Sequence, residues 1–198
     1  MVTVPRGSLI LRPGDEAWAL YLLKRGRVRI YKLYPDGREL TLAILGDGNV
    51  FGVTELAAQD SLDIYAEAMD DVLLCTMRRA DVESLLRRHP EVAMRLIGLL
   101  SQRVHSLEAL VASLAHEDVR RRLLRLLLEL SEDFGVADGE FTRVDVALSH
   151  EELATMVGST RETVTATLSR LAQEGIVRTG RRAIALDRQA AQRALENR

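Results

Sequence analysis

The chain has 198 residues, of which 27 are basic and 29 acidic, and 47% are hydrophobic, which is enough for two small domains with cores of their own. The single cysteine, Cys75, excludes a disulfide framework and a cysteine-ligated iron–sulfur cluster. No apolar run approaches the roughly 20 residues that span a bilayer, so we expect a cytoplasmic protein with no membrane partner.

Residues 1 to 77 are predicted to form short strands separated by turns. Two β-rich runs flank Pro35-Asp36-Gly37, and further turn signals occur at 12–15, 24–26 and 46–49. This spacing is typical of an antiparallel sandwich or roll rather than of alternating strands and helices. We therefore expect an α+β protein whose first domain, residues 1–90, is an antiparallel β-roll (a double-stranded β-helix).

The periodicity becomes helical from Arg79. A short helical pattern ends at His89-Pro90, and a long one runs over residues 91–116. The apolar stripe of the long helix is too broad to be covered by a small roll alone, which favours contact with the same helix of a second subunit. A helix buried within one chain is the alternative. The predicted interface residues are Leu96, Leu100, Arg103, Val104, Leu107, Val111 and Leu114.

Residues 117–198 are predicted to form a second domain. An amphipathic helix ends at Gly135, and a loop with one short strand follows it. Two further helices are separated by Gly158, and a hairpin with its turn at Gly180 comes after them. This order predicts a winged helix-turn-helix.

The two helices around Gly158 have the pattern of a helix-turn-helix. Ser149-His150-Glu151-Glu152 forms a capping box that starts the first helix. In the second helix Val164, Leu168 and Leu171 mark a buried side. The opposite side is polar, with Arg161 and Thr165 at its flank, and contains Glu162, Ala166, Ser169 and Gln173.

These residue types suit double-stranded DNA. An arginine can donate two hydrogen bonds to guanine, and a glutamate can accept one from cytosine. The predicted base-reading residues are Arg161, Glu162, Thr165 and Ala166, and the predicted phosphate contacts are Ser149, Thr160, Thr163, Thr179 and Arg181. Taken singly, Glu162 is equally explained by a second capping box with Ser159, and Arg161 by a solvated surface charge. A separate alternative is a module whose winged helix binds protein rather than DNA. The assembly as a whole favours DNA.

The stretches LYLLKRGRVRIYKLYPDGRELTLAILGDGNVFG and GSTRETV resemble the β-roll and the recognition helix of the CRP/FNR superfamily of bacterial transcription regulators. The resemblance implies a homodimer that binds a palindromic promoter site, usually as an activator with RNA polymerase as a partner. Arg161 and Glu162 match the residues that read the GTG core of TGTGA-type half-sites. Ala166 replaces a third reader, so discrimination at the adjoining base pair is expected to relax by about 1–3 kcal/mol.

The resemblance breaks at the cyclic-nucleotide pocket. Val53 stands where the family has a ribose-binding Glu, Leu62-Asp63 where it has the phosphate-binding Arg-Ser pair, and Leu107-Glu108 where it has the adenine-contacting Thr-Ser pair. No Arg occurs between Arg38 and Arg78 to bind a cyclic phosphate. We therefore expect a regulator that does not bind cyclic AMP.

No cofactor or metal is expected. The first histidine of the chain is His89, so the roll lacks the ligands of a haem sensor or of a cupin-type metalloenzyme. We expect no enzyme activity. Constitutive DNA binding is favoured, while gating by an unidentified small molecule and action as a repressor remain open.

Overall fold

The computed structural model describes residues 1–13, 15, 19–52, 64–180 and 183–196, with the backbone alone at Ala19, Arg79, Arg103, Leu110, Leu114 and Ala115. The chain divides into two units, Met1–Leu107 and Glu108–Arg198. Because the boundary lies inside one long helix, the division of the sequence at residues 90 and 116 into three parts stays a prediction.

The first unit begins with a series of short strands. In its described part they are β1 (Val2–Val4), β2 (Leu9–Leu11), β3 (Ala19–Arg25), β4 (Val28–Leu33), β5 (Glu39–Leu45), β6 (Val50–Phe51), β7 (Tyr65–Ala68) and β8 (Val72–Arg78). They pair antiparallel in two sheets of order β1-β8-β3-β6 and β2-β7-β4-β5. The chain crosses repeatedly from one sheet to the other, which confirms the predicted antiparallel β-roll.

Glycines set two of the tight turns between these strands. Gly37, with φ 82°, lies between β4 and β5, and its N–H donates to the carbonyl of Tyr34 at 2.9 Å. Gly26, with φ 95°, lies between β3 and β4, where a Cβ would stand 2.8 Å from Cγ1 of Val72. Only glycine fits this second turn, because both the backbone angle and the space exclude a side chain.

The two faces of β4 differ in chemistry. Val28 and Ile30 belong to the apolar core between the sheets. Arg29 alternates with them and so lies on the other face of the strand, 4.2 Å above the ring of Tyr31. Its guanidinium forms ion pairs with Glu39 at 2.8 Å and Glu67 at 2.9 Å. The positive charge of this buried arginine is therefore compensated by two carboxylates.

Two helices follow the roll, α1 (Arg79–Arg88) and α2 (Pro90–His116), as the sequence predicts. Much of the apolar stripe of α2 is uncovered in the single chain: Ile97 is 54% exposed, Val104 52% and Val111 66%. Leu96 is half-buried, and Leu100 and Leu107 are exposed. The side chains of Arg103 and Leu114 lie outside the described residues. Among the described helices, none is long and apolar enough to cross a membrane.

The second unit combines helices with one small sheet. After the last turns of α2 it contains α3 (Val119–Phe134), β9 (Gly135–Asp138), β10 (Phe141–Val144), α4 (His150–Met156), α5 (Arg161–Gln173), β11 (Val177–Gly180), β12 (Ala183–Leu186) and α6 (Arg188–Glu196). The strands form an antiparallel sheet of order β11-β12-β10-β9. Leu127 of α3, Leu153 of α4 and Leu168 of α5 are fully buried and form part of its core.

Two details of this unit differ from the sequence analysis. The segment after α3 contains two strands rather than one, because β9 pairs with β10 around a turn at Gly139. Helix α6 was not predicted. It begins after Asp187, whose side chain accepts a hydrogen bond from the N–H of Ala190 at 2.9 Å. An Asp ahead of an amphipathic run is the signal that could have revealed this helix.

The C-terminal half of α3 gathers charges of one sign. Partial desolvation raises the pKa of Glu129, and the charges of Asp133 and Glu132 raise it further, against the opposing effect of Arg125. A folded-state pKa above the unfolded value means that the carboxylate destabilises the fold at neutral pH, and that this penalty is relieved as the pH falls through the raised pKa.

We therefore expect Glu129→Gln to raise the thermal midpoint of the protein at pH 7, with a gain that shrinks as the pH is lowered. The measurement is thermal unfolding followed by circular dichroism across a pH series. Glu132→Gln is the matched control: it removes the same charge from the same end of α3, but it breaks the 2.8 Å ion pair with Arg188. Equal gains in both variants would show that net charge, rather than the site of Glu129, controls the effect.

Candidate nucleic-acid interface

Helix α4 begins with the predicted capping box. The Oγ of Ser149 accepts a hydrogen bond from the N–H of Glu152 at 3.2 Å, and the carboxylate of Glu152 accepts one from the N–H of Ser149 at 2.7 Å. The Ser149 hydroxyl also lies 2.6 Å from the same carboxylate oxygen. The prediction of the cap is confirmed, and the Ser149 hydroxyl is already engaged in it.

The turn between α4 and α5 depends on Gly158. This residue has φ 60°, and the N–H of Ser159 donates back to the carbonyl of Ala154 at 2.9 Å. The N–H of Gly158 donates to the carbonyl of Thr155 at 3.4 Å. These two hydrogen bonds form a Schellman motif, which ends α4 sharply and reverses the chain towards α5. The predicted turn at Gly158 is confirmed.

Helix α5 is capped by Thr160 rather than Ser159. The Oγ1 of Thr160 accepts a hydrogen bond from the N–H of Thr163 at 3.2 Å and lies 2.9 Å from the Thr163 hydroxyl. The second capping box considered in the sequence, between Ser159 and Glu162, is therefore wrong. Because Thr160 is the cap, Glu162 does not cap its own helix, and the Glu162 side chain is exposed.

The two sides of α5 are as the sequence predicts. Val164, Leu168 and Leu171 are buried against the rest of the unit. The opposite side is exposed and brings together the predicted base-reading residues and their neighbours: Arg161, Glu162, Thr165, Ala166, Ser169 and Gln173. The helix thus presents a polar surface with an arginine, Arg161, in its first turn.

The hydroxyl groups of α5 are bonded to its own backbone. Thr165 donates to the carbonyl of Arg161 at 2.8 Å, Thr167 to that of Thr163 at 2.8 Å, and Ser169 to that of Thr165 at 2.9 Å. Their hydroxyl hydrogens are therefore used within the helix, and each oxygen is left as an acceptor.

A histidine that the sequence analysis did not single out joins the two helices. Nδ1 of His150, at the start of α4, lies 2.8 Å from Oγ1 of Thr165. Because the Thr165 hydroxyl already donates to Arg161, the imidazole is the donor in this pair. No periodicity relates positions 150 and 165, so this contact depends on the fold of the helix pair.

A cleft of about 330 Å³ lies between the starts of α4 and α5 and the hairpin of β11 and β12. Its lining residues are Leu148, Ser149, His150, Glu151, Arg161, Gly180, Ala183 and Ile184. Gly180 pairs with Ala183 at the tip of the hairpin, in the position of a wing. Thr179 is exposed on β11, while Arg181 lies outside the described residues. Arg161 therefore lines a concave surface beside the wing.

The predicted remnant of a nucleotide pocket is only partly described. Val53, Leu62 and Asp63 lie outside the described residues. Leu107 and Glu108 lie on α2, where both are exposed. Their assignment to a degenerate pocket stays a prediction.

A roll of two antiparallel sheets, a long helix and a winged helix-turn-helix together define a class of two-domain transcription regulators. Residues 1–89 match the cyclic nucleotide-binding domain family, and residues 121–193 match the Crp-like helix-turn-helix domain family. Both matches agree with the fold of the corresponding segments.

Relatives span most of the chain. A global nitrogen regulator of a Synechocystis species is 36% identical over 88% of this chain and 79% of its own length. The cyclic AMP receptor protein of Thermus thermophilus is 37% identical over 89% of this chain and 78% of its own. A crystal structure of a CRP/FNR-family transcriptional regulator, also from Thermus thermophilus, superposes with a TM-score of 0.83 at 32% identity, covering 100% of this chain and 98% of that one. The chain belongs to the CRP/FNR family of transcription regulators and is not an enzyme.

Proposed function

We propose that the protein is a homodimeric activator that binds palindromic TGTGA-like promoter sites without cyclic AMP. The observation that carries the proposal is the exposed Arg161–Glu162 pair in the first turn of α5, on a helix anchored by Val164 and Leu168. An element that is fixed on one side and polar on the other suits insertion into the major groove.

Arg161 and Glu162 are assigned to the base pairs of the GTG core. The guanidinium of Arg161 would donate to O6 and N7 of guanine, and the carboxylate of Glu162 would accept from N4 of cytosine. Thr165, held by His150, offers an acceptor to the neighbouring base, and the methyl group of Ala166 offers only apolar contact. Discrimination between base pairs is therefore expected to be strong at the GTG core and weak at the adjoining base pair.

The hydroxyls at the helix starts and on the wing are assigned to phosphates. Thr160, Thr163 and Thr179 are exposed, and a threonine hydroxyl can donate its hydrogen to a phosphate oxygen of the DNA backbone. Ser149 and Arg181 are assigned to the same role, although the Ser149 hydroxyl would have to exchange its partner Glu152. Such contacts fix the position of α5 in the groove without reading sequence.

Dimerisation is assigned to α2. Its exposed stripe contains Ile97, Val104 and Val111, which are spaced seven residues apart. Leu100 and Leu107 lie beside them with the same spacing. A heptad pattern of exposed apolar residues is what a two-stranded coiled coil buries. A symmetric dimer would present two α5 helices to the two halves of a palindrome.

Independence of cyclic AMP is supported by the residues of the roll. The most buried basic side chain in the described part of the roll, Arg29, is already paired with Glu39 and Glu67. The positions expected to bind the nucleotide, Val53, Leu62 and Asp63, have the wrong chemistry for a sugar and a phosphate. The relatives do not decide the effector, because a nitrogen regulator and a cyclic AMP receptor protein are about equally similar to the chain.

The test is a titration of the purified protein against a labelled duplex with two inverted TGTGA-like half-sites one helical turn apart, at fixed salt. We expect tight binding without ligand, a much weaker interaction with a scrambled duplex, and no change on adding cyclic AMP. Binding that requires cyclic AMP would contradict the assignment of the roll. Binding that requires a metabolite extract would instead favour gating by another small molecule, and recruitment of RNA polymerase in transcription assays would separate an activator from a repressor.

A further inference from the structure

Three consecutive arginines at the start of α3 each reach the end of a different helix. Arg120 forms an ion pair with Glu174 at the end of α5 at 2.5 Å, and Arg121 donates to the carbonyl of Leu195 in α6 at 2.5 Å. Arg122 donates to the carbonyl of Val157 at the end of α4. Cations are favourable at helix C-termini, because the last carbonyls have no partner within the helix.

Arg122 joins two parts of the unit that are distant in sequence. Its Nε donates to the carbonyl of Val157 at 2.8 Å, and Nη2 lies 3.4 Å from the carbonyl of Gly158, so both contacts are in the turn that precedes α5. Its Nη1 donates to the carbonyl of Glu117 at 2.6 Å, in the segment that follows α2. One guanidinium group therefore connects the end of the long helix to the start of the recognition helix.

Glu117, whose carbonyl accepts from Arg122, is itself held in place by other contacts. Arg125 donates to both of its carboxylate oxygens, with Nη2 at 2.7 Å and Nε at 3.0 Å. This bidentate pair lowers the pKa of Glu117. The N–H of Glu117 also donates to the carbonyl of Ser113 in α2 at 2.8 Å. The segment between α2 and α3 is thus held by both its backbone and its side chain.

The carbonyl of Val157 needs a partner from outside α4. Val157 is buried, and the Schellman motif at Gly158 uses the carbonyls of Ala154 and Thr155 but not that of Val157. Without the guanidinium of Arg122, a buried carbonyl would lose its charged donor, and the turn would lose its attachment to α3.

We propose that Arg122 is a positioning residue for DNA recognition, which fixes the turn before α5 relative to the segment that follows α2. It does not touch DNA in this role, and it acts by holding Arg161 and Glu162 in the orientation that the groove requires. The proposal rests on base reading by α5 as proposed above, and it adds a residue from α3 to the determinants of sequence specificity.

The test compares Arg122→Ala and Arg122→Lys with Arg121→Ala in the full-length protein. Arg121→Ala is the matched control, because it removes the same charge from the adjacent position and breaks a contact with α6, and a long 4.0 Å ion pair with Glu117, while it leaves the contacts with the turn in place. For each variant, dissociation constants for the palindromic and scrambled duplexes are measured well below its thermal midpoint, which is recorded separately.

We expect Arg122→Ala to weaken binding to the palindrome about tenfold while the scrambled duplex is bound as before, so that the specificity ratio falls. Arg122→Lys should give an intermediate loss, because a single ammonium group can serve only part of the three carbonyls. Arg121→Ala should keep the specificity ratio within about twofold. The lysine variant retains charge and reach, so it supplies the comparison even where the alanine variant does not fold.

Arg161→Ala in the same assay separates the two proposals. A loss of specific binding in Arg161→Ala with an unchanged ratio in both Arg122 variants overturns the positioning role alone. An unchanged ratio in Arg161→Ala as well as in the Arg122 variants overturns base reading by α5 and the positioning role together. Equal falls in the ratio for Arg122→Ala and Arg121→Ala would also overturn the proposal, because they would reflect general loosening of the unit.

Discussion

Replacing Arg161 with alanine is expected to abolish most of the discrimination between the palindromic site and unrelated DNA. A bidentate contact between arginine and guanine contributes about 1–3 kcal/mol of discrimination at each half-site, and a dimer loses it twice. The side chain is exposed at the first residue of α5, so its removal leaves the buried residues Val164 and Leu168 in place. The loss should therefore be in specific binding and not in stability.

The measurement is the ratio of dissociation constants for palindromic and scrambled duplexes, with thermal unfolding as a check on the fold. Arg170→Ala is the matched control. Arg170 is exposed on the same helix but lies in its last turn, far from Arg161 in the first turn. It should weaken binding to both duplexes alike, or not at all. A similar fall in the ratio for both variants would show that charge on α5, rather than base contact by Arg161, controls recognition.

The second large effect is expected from Val104→Asp in α2. This side chain is 52% exposed in the single chain, and the proposed dimer would bury it in the seam between two copies of α2. An unpaired carboxylate in such a seam is strongly disfavoured, so the variant should be monomeric. A monomer can bind only one half-site at a time, and we expect its affinity for the palindrome to fall by about 10²- to 10⁴-fold.

Sedimentation measures the oligomeric state, and titration with full and half-site duplexes measures the affinity. Gln102→Asp adds the same charge to an exposed position on the opposite side of α2 and should leave both measurements unchanged. A Val104→Asp protein that remained dimeric would exclude this stripe as the interface. A monomeric variant that bound the palindrome as tightly as the original would show that the two half-sites are not read together.

The parts of the fold that depend on local patterns could be predicted from the sequence. The capping box of Ser149, the turn at Gly158 and the buried side of α5 each involve residues within one or two helical turns of one another. The adjacent hydroxyl residues Ser159 and Thr160 are both good caps, so the choice between them depends on the exact exit of the chain from the turn. For this reason the sequence predicts helix α5 but not its cap, Thr160.

The contacts that join elements could not be predicted. All four residues of strand β9 are exposed, so the strand has no alternation of buried and exposed residues, and only its pairing with β10 makes it a strand. The helix-end partners of Arg120, Arg121 and Arg122 lie 54, 74 and 35 residues away in sequence. A run of arginines on a helix predicts a solvated surface, and only the packing of three other helix ends around it shows otherwise.

Two of the residues assigned to reading DNA, Glu162 and Ala166, are separate from the residues that build α5. The cap is Thr160, the anchor is Val164, Leu168 and Leu171, and the hydroxyl hydrogens along the helix are bonded to its own carbonyls. Glu162 and Ala166 take part in none of these, and both are exposed. Substitutions at these two positions would therefore alter the preferred half-site at little cost to folding. A gene duplicate of this regulator could acquire a new set of target promoters through one or two such changes, without compensating mutations elsewhere.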